Sequence, residues 1–420
     1  MRVFKFGGAS VNSVERIQNL AAIIRKEQQS PLVIIISAMG KTTNSLEKVV
    51  ESFYAGKKEE SLQLFAAVKQ QHLKIAKYLL VTEFNSCLSR LTDFFTEVEW
   101  LLHDAAVREF DYYYDQVVCV GELLSTCIIS HYLNESGIEN EWLDVRDLIR
   151  TDNNFRDASI DWKYSENRIR QAIQASSDSS RIFLTQGFIG ATPDNESTTL
   201  GREGSDYTAA VFANILEAEN ITIWKDVEGV MNADPKTYAH ALLIPELNFT
   251  ELIEMAFYGA QVIHPKTIKP LQNKGISLFV RCFLNPELPG THIHQKHLKN
   301  LPPIIVVKQN QALVQLNSRD FSFVGEEPMI HLYGLFSRLK IKPNLIQTGA
   351  INVQICIDNP DDKITRFAAE AAKLFDVQVE KDLQLLTVRH YQIPLLEELL
   401  QGKNILLTQR TKETVQVVYH

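Results

Sequence analysis

"RVFKFGGASVNSVERIQNLAAII" (2–24) sets a β-prone run, a turn with two glycines and an amphipathic run one after another. Val14, Ile17, Leu20, Ala21 and Ile24 fall on one helical face, so the spacing predicts a helix over 13–27, and Asn12 followed three residues later by Glu15 resembles a capping box. A strand that runs into a helix through a glycine turn is the building unit of a parallel sheet, and ligands of such sheets sit at the carboxyl ends of the strands. Gly7 and Gly8 let backbone N–H groups approach an anion without hindrance from Cβ, the helix N-terminus adds favourable partial charge, Lys5 adds a full mobile charge, and Ser10 ends the turn. Taken alone, the hexapeptide 5–10 fits a tight turn with a solvated lysine equally well.

The same alternation continues. Strand-like runs recur at 2–6, 32–37, 141–145, 181–189, 221–227 and 276–283, with helical stretches at 61–80, 86–107, 121–134, 205–217 and 250–260 among them. The pattern predicts a doubly wound, mostly parallel α/β sheet covered on both faces. Prolines cluster over 285–304, which places a boundary between a domain of residues 1–298 and one of residues 299–420. Beyond it, a strand at 311–318, a helix at 328–339, two strands within 344–358, a helix at 362–374 and a strand at 384–390 give the βαββαβ order of a ferredoxin-like module. A helix at 393–401 and two further strand-like runs read as a second, shortened unit.

The 420 residues are 45% hydrophobic and 22% charged, enough for ordinary cores in two or three domains. A formal net charge of −8 argues against a nucleic-acid binder, while leaving room for a local basic pocket. Five scattered cysteines without a C-x-x-C pair suit free thiols in the cytoplasm. No basic-then-apolar leader and no apolar run approaching membrane length is visible, so neither secretion nor a membrane partner is expected.

Two motifs are set aside. "GKTT" (40–43) follows a strand, yet a phosphate loop needs a glycine where Ile35 stands. "VRDL" (145–148) has neither the D-F-G nor the glycine loop of a protein kinase. "TTLGREGSDYTAA" (198–210) carries more: Gly201 and Gly204 precede a helix expected to open at Ser205 as its cap, with Arg202 able to grip a carboxylate and Asp206 suited to a lysine or Mg²⁺ partner. In "VGELLSTCIISHYL" (120–133), Glu122 and Ser125 lie one turn apart on an apolar helix, where Glu122 suits a substrate ammonium or is simply a solvated helix start. "IWKDVEGVMNADPK" (223–236) ends a strand in Lys225-Asp226 and breaks into turn residues, either a nucleotide loop or a plain turn.

Together and in this order, "KFGGAS", "ISAMGKTTNSL", "VGELLS", "TQGFIG", "TLGREGSDYTAA", "WKDVEGV" and "GAQVIHP" resemble the aspartokinases of the amino-acid-kinase family, over about 1–295. The resemblance implies ATP- and Mg²⁺-dependent phosphorylation of the side-chain carboxylate of L-aspartate to 4-phospho-L-aspartate, the first step toward lysine, threonine and methionine. By this resemblance Lys5 and Asp206 are catalytic, and Gly7, Gly8 and Ser10 line the phosphoryl loop. Ser37, Thr43, Glu122, Phe188, Arg202 and Ser205 meet substrate, with Arg202 on the α-carboxylate. Lys225, Asp226, Met231 and Lys236 match nucleotide contacts, and no protein-held metal site is implied. Tandem ACT-like modules follow, with a lysine or threonine effector expected near Ser318, Phe321, Phe323 and the 346–352 loops, and a homodimer or higher oligomer formed through them. No homoserine-dehydrogenase portion is present, so a monofunctional protein is expected. The chain departs from the family pattern at Ala9 (usually threonine), Glu203 (usually glycine, and expected to point outward) and Gln261 (often lysine). Another amino-acid kinase, or an amino-acid sensor with a decayed kinase site, are the competing readings.

Overall fold

The computed structural model describes residues 1–27, 30–176, 181–298 and 300–420, so position 299, where the second domain is expected to begin, lies outside the described residues. Two compact units result: residues 1–230, 245–253 and 262–297 form one, and residues 231–244, 254–261 and 298–420 the other.

The first unit runs β1 (Arg2–Phe6), α1 (Val14–Lys26), β2 (Leu32–Ile36), α2 (Thr42–Tyr54), α3 (Lys58–Leu79), α4 (Phe84–His103), α5 (Phe110–Val118), α6 (Val120–Glu135), β3 (Glu141–Leu143), α7 (Trp162–Ser176), β4 (Ile182–Gln186), β5 (Ile189–Ala191), β6 (Ser197–Thr199), α8 (Gly204–Ile215), β7 (Asn220–Lys225), β8 (Glu246–Asn248), α9 (Phe249–Phe257), α10 (Pro265–Lys274), β9 (Ser277–Cys282) and β10 (Thr291–His294). The last residues of α9 belong to the second unit. Eight strands form one sheet in the order β3-β4-β2-β1-β7-β9-β10-β8, parallel except where β10 meets β9. The central strand β2, "LVIII", is buried along its whole length, as a strand covered on both faces must be.

Register decides where the site forms. Phe6 pairs with Ile36 and with Trp224, and Ile36 pairs with Gln186. The carboxyl ends of β1, β2, β4 and β7 are therefore level, and the loops that leave them emerge side by side. Phe4, Phe6, Trp224 and Phe283 pack as an aromatic layer at that end, with Phe6 and Trp224 stacked at 6.0 Å.

Two helix starts differ from expectation. Helix α1 is capped by Ser13, whose Oγ accepts from the Arg16 N–H at 3.3 Å, because Gly8–Val11 makes a 3₁₀ turn that carries Asn12 past the cap position. Helix α8 begins at Gly204 and not with Ser205 as its cap: Glu203, in the left-handed region at φ 54°, takes the N-cap place and leaves Ser205 in the first turn. The run Phe110–Glu135, formed by α5 and α6, is long and apolar enough to span a membrane, but 83% of its apolar window is buried inside the protein, as in a core helix.

The second unit holds β11 (Ile304–Ser318), α11 (Glu326–Leu339), β12 (Pro343–Thr348), β13 (Asn352–Asp358), α12 (Asp361–Ala371), β14 (Phe375–Arg389), α13 (Ile393–Leu400), β15 (Ile405–Arg410) and β16 (Thr414–Tyr419). They make one six-stranded sheet, β12-β13-β11-β14-β16-β15. The long strands β11 and β14 pair antiparallel, with register shifts between Lys308 and Leu313 that divide each into two halves. One half, with α11 and α12, is the βαββαβ module, cored by Val314, Leu332, Phe336, Ile355 and Phe367. The other has α13 alone, and there Ala233, Tyr238 and Ala241, from the early 231–244 segment of this unit, pack on Ile305, Leu386 and Val417. Alternate residues Leu313, Leu385 and Val418 point to the opposite face and join Leu345 and Leu407 in a third core, over which β12 and β15 meet: Gln409 Nε2 donates to the Ile346 carbonyl at 3.4 Å.

Candidate active site

At the level strand ends of the first unit lies a cavity of about 570 Å³. Its first wall is the glycine turn. Gly40 N–H donates to the Gly8 carbonyl at 2.9 Å, and a Cβ on Gly8 would stand 2.6 Å from the Ala38 carbonyl oxygen, so only glycine lets the turns after β1 and β2 touch. The same demand recurs opposite, where a Cβ on Gly187 would lie 2.5 Å from Ser205 Cβ and would push the first turn of α8 off the end of β4.

Lys5, pointing from β1 into this cavity, places Nζ 2.6 Å from Asp206 Oδ1 at the start of α8. Lys225, at the end of β7, stands 3.9 Å from Asp206 Oδ2 and donates to the Val262 carbonyl. Burial pushes the Asp206 carboxyl up, but Lys5 and Lys225 outweigh it and hold the group below its usual range. The arrangement is a carboxylate clamping one lysine at the cavity floor, with a second lysine beside it.

Glu122 contributes the opposite condition. It is 2% exposed on α6, its Oε1 accepts from the Ala38 N–H at 3.3 Å, and its Oε2 has no hydrogen-bond partner among the described residues. Burial raises its carboxyl to about 8, against the pull of the Ala38 N–H and of Lys5. A buried carboxyl oxygen without a donor, facing a cavity, is a place for a cationic group, which would favour the ionised form. Ser125, one turn on, donates to the Ser37 carbonyl at 2.8 Å and so fixes α6 against the end of β2.

Thirteen of the residues expected to act line this one cavity: Lys5, Gly7, Gly8, Ser10, Ser37, Thr43, Glu122, Phe188, Arg202, Ser205, Asp206, Lys225 and Asp226. Phe188 is held at φ 71° with its N–H donating to Thr208 Oγ1 at 3.0 Å. Arg202 is exposed and makes no ion pair among the described residues, so its guanidinium is available. Met231 and Lys236 are not in the cavity lining; both belong to the second unit. Lys266 is committed elsewhere, to the Leu200 carbonyl at 3.0 Å and Asp157 at 2.9 Å. Glu203 does not point outward: its carboxylate accepts from the His264 N–H at 2.8 Å, at the N-terminus of α10. In the second unit, Ser318 donates to Asp320 at 2.9 Å, Phe321 and Phe323 are each 80% exposed, and backbone bonds from Ser318 to Ile351 and from Val324 to Ala350 bring their loop beside 349–351.

The chain matches the model of the Amino acid kinase family over residues 1–282. It is 31% identical to "Lysine-sensitive aspartokinase 3" of Escherichia coli (strain K12), over 92% of this chain and 86% of that protein. The chain belongs to the amino acid kinase family, among its aspartokinases. A second such relative is "Aspartokinase 1, chloroplastic" of Arabidopsis thaliana, 33% identical over 85% of this chain and 63% of the relative. The chain spans only 32% and 44% of two bifunctional aspartokinase/homoserine dehydrogenases of Arabidopsis thaliana. Among solved structures, E. coli aspartokinase III in complex with aspartate and ADP superposes with a TM-score of 0.83 at 27% identity, covering all of this chain and 96% of that one. The same enzyme with lysine and aspartate gives 0.81 at 27% identity, covering all of this chain and 95% of that one.

The aspartokinase cavity also holds residues that sequence motifs did not mark. Arg156, at φ 69°, lines it with its guanidinium over the Tyr114 ring at 4.3 Å. Its N–H donates to Asp115 at 3.0 Å, and the same carboxylate takes the Thr199 N–H at 2.8 Å and hydroxyl at 2.7 Å. Asp115 thus ties α5 to both the 156 loop and β6; burial raises its carboxyl to about 6 despite those three bonds. The one signal for it in the sequence is an acid directly after the three tyrosines of "FDYYYDQVV" (110–118).

Proposed function

We propose that this protein transfers the γ-phosphoryl group of ATP to the side-chain carboxylate of L-aspartate, giving 4-phospho-L-aspartate and ADP. The observation that carries this is the single cavity in which the Lys5–Asp206 pair and the unpartnered oxygen of Glu122 face one another. An aspartate carboxylate is ionised at neutral pH, so no general base is needed. Its oxygen forms the new bond to phosphorus as the bond to the ADP oxygen breaks, and the obstacle is the meeting of two anions. Lys5 offsets that charge where the phosphoryl group passes, and Asp206, 2.6 Å from its Nζ, keeps Lys5 aimed. Arg202 holds the α-carboxylate bidentately and Glu122 the α-ammonium, which together orient aspartate by both ends of its backbone.

Mg²⁺ would arrive on the nucleotide and neutralise phosphate charge. Such an ion keeps much of its water and asks for one or two protein carboxylates at most, and Asp206 and Asp226 in the cavity lining satisfy that. Phe321 and Phe323, and Ile330 and Tyr333 on α11, are exposed apolar side chains of the second unit, which supports self-association through it, and the 318–324 and 346–352 loops are our candidate for a lysine effector site. Five free, buried cysteines accord with a reducing cytoplasm. The test is ADP release with MgATP and aspartate, with the acyl phosphate trapped by hydroxylamine, and with lysine or threonine added. Turnover with aspartate and none with glutamate is expected; nucleotide binding without turnover would return the protein to the sensor reading.

A further inference from the structure

Away from the cavity, the first unit gathers a second group of chemically capable side chains. Cys87 of α4 and Cys127 and His131 of α6 place two sulfurs and an imidazole nitrogen all within 4.8 Å of one another. Cys127 and His131 stand four residues apart, one above the other on one face of α6, and Cys87 reaches them from α4, which packs alongside. Both cysteines are buried, and His131 is half-buried.

Around them the structure is organised. Glu83, just before α4, places Oε2 3.0 Å from Nδ1 of His131. Glu135, at the end of α6, accepts from the N–H groups of Val81, Thr82 and Glu83 at 2.9–3.0 Å and so fixes the turn that carries Glu83. A carboxylate on one nitrogen of an imidazole sets its tautomer and ring orientation and raises its basicity, the support that metal-bound histidines commonly have.

Two simpler accounts leave residues over. Buried cysteines alone are ordinary small core residues, but an imidazole set against them and steered by a carboxylate is not an apolar packing choice. A Cys87–Cys127 disulfide would need an oxidant and would give His131 no part. A borderline-soft divalent ion uses all three donors. At bond lengths of about 2.3 Å to sulfur and about 2.0 Å to nitrogen, tetrahedral ligand atoms stand roughly 3.5 Å apart, which the present spacing reaches with small rotamer shifts.

We infer that Cys87, Cys127 and His131 form a zinc-class metal site that fastens α4 to α6, with Glu83 as the positioning residue for His131. Three protein ligands leave the fourth coordination position to water. Glu122 sits near the other end of α6, so the ion steadies the helix that carries it and takes no part in phosphoryl transfer. The site is independent of the kinase reading.

The experiment uses the full chain, stripped with a chelator and titrated with Co²⁺ alone and then Zn²⁺. One equivalent of Co²⁺ should bind with a thiolate-to-metal charge-transfer band that Zn²⁺ displaces, and the metal should raise the melting midpoint. Cys87→Ser and Cys127→Ser should lose the band, Glu83→Gln should weaken binding about 10–100-fold, and Cys356→Ser, a buried thiol of the second unit, should keep it. As a check that does not depend on folding of the variants, Zn²⁺ should protect Cys87 and Cys127 of the unaltered chain, and no other cysteine, from alkylation. Absence of the band at millimolar Co²⁺, its survival in the double Cys87→Ser/Cys127→Ser variant, alkylation unchanged by Zn²⁺, or recovery of Cys87 and Cys127 as a disulfide in the purified chain would each overturn the inference.

Discussion

Lys5 Nζ and Asp206 Oδ1 are 2.6 Å apart, with side chains only 11% and 4% exposed, and they come from the end of β1 and the start of α8, which packs against that strand. A charge pair this dry is a weak stabiliser compared with apolar packing, but breaking it leaves one charge stranded. Lys5→Ala should therefore lower kcat by on the order of 10²–10³ and lower stability by about 3 kcal/mol, Lys225 at 3.9 Å softening the loss. Steady-state kinetics with urea melts would check both; a wild-type kcat would remove Lys5 from the phosphoryl path.

Glu122 makes the stability of the ligand-free protein depend on pH with a definite sign. Its folded-state pKa of about 8 lies above the ordinary 4.5, so between those values the folded chain holds a proton that the unfolded chain has released. The unfolded state then binds fewer protons, and stability falls as pH rises through this window, by up to about 1.4 kcal/mol per unit from this group, and levels off above about pH 8. Glu122→Gln should flatten that part of the profile. Aspartate, by placing its ammonium beside Glu122, should pull the proton off near neutral pH, so calorimetry in buffers of different ionisation enthalpy should show proton release on binding by the native protein and none by the variant.

Residues that act from a contiguous motif were legible in the sequence, because a strand end, a glycine turn and a helix start must be neighbours in both chain and space. Lys5, Gly7, Gly8, Arg202 and Asp206 are of this kind, and all line the cavity. Arg156 and Tyr114 were not, because the loop of Arg156 meets α5 through long-range contacts, among them the three hydrogen bonds of Asp115 to residues 41 and 84 positions away. Helix α10 escaped the hydrophobic pattern because Pro270 lies inside it, and β11 and β14 were read short because each serves two half-sheets across a register shift. The shortened second module was visible, but not its remedy, since nothing in Ala233, Tyr238 and Ala241 announces that they pack beneath strands far along the chain.

Arg202 and Arg156 offer two guanidiniums to the same cavity, and their surroundings separate their roles. Arg156 is tied to Asp111 at 3.2 Å and to the Tyr114 ring, whereas Arg202 has no ion-pair partner among the described residues. Arg202→Ala should raise KM for aspartate about 10–100-fold, the cost of about 1.5–3 kcal/mol for a charged hydrogen bond, with KM for ATP little changed. Equal effects on both substrates would take Arg202 off the α-carboxylate.

Glu203 stands where the family usually has glycine, and its geometry shows what that exchange does. Its φ of 54° strains any residue but glycine, while its carboxylate takes the His264 N–H at the favourable end of the α10 dipole. Glu203→Ala keeps the strain and loses the cap, so it should destabilise by about 1 kcal/mol; Glu203→Gly relieves the strain as it loses the cap, so its stability should stay near that of the native protein. Both remove a negative charge from the lining of a cavity that receives two anions, so both should lower KM for aspartate and ATP, more at low ionic strength than at high. If KM falls in neither variant, the Glu203 carboxylate is fully neutralised by α10, and the departure at this position matters to loop anchoring alone.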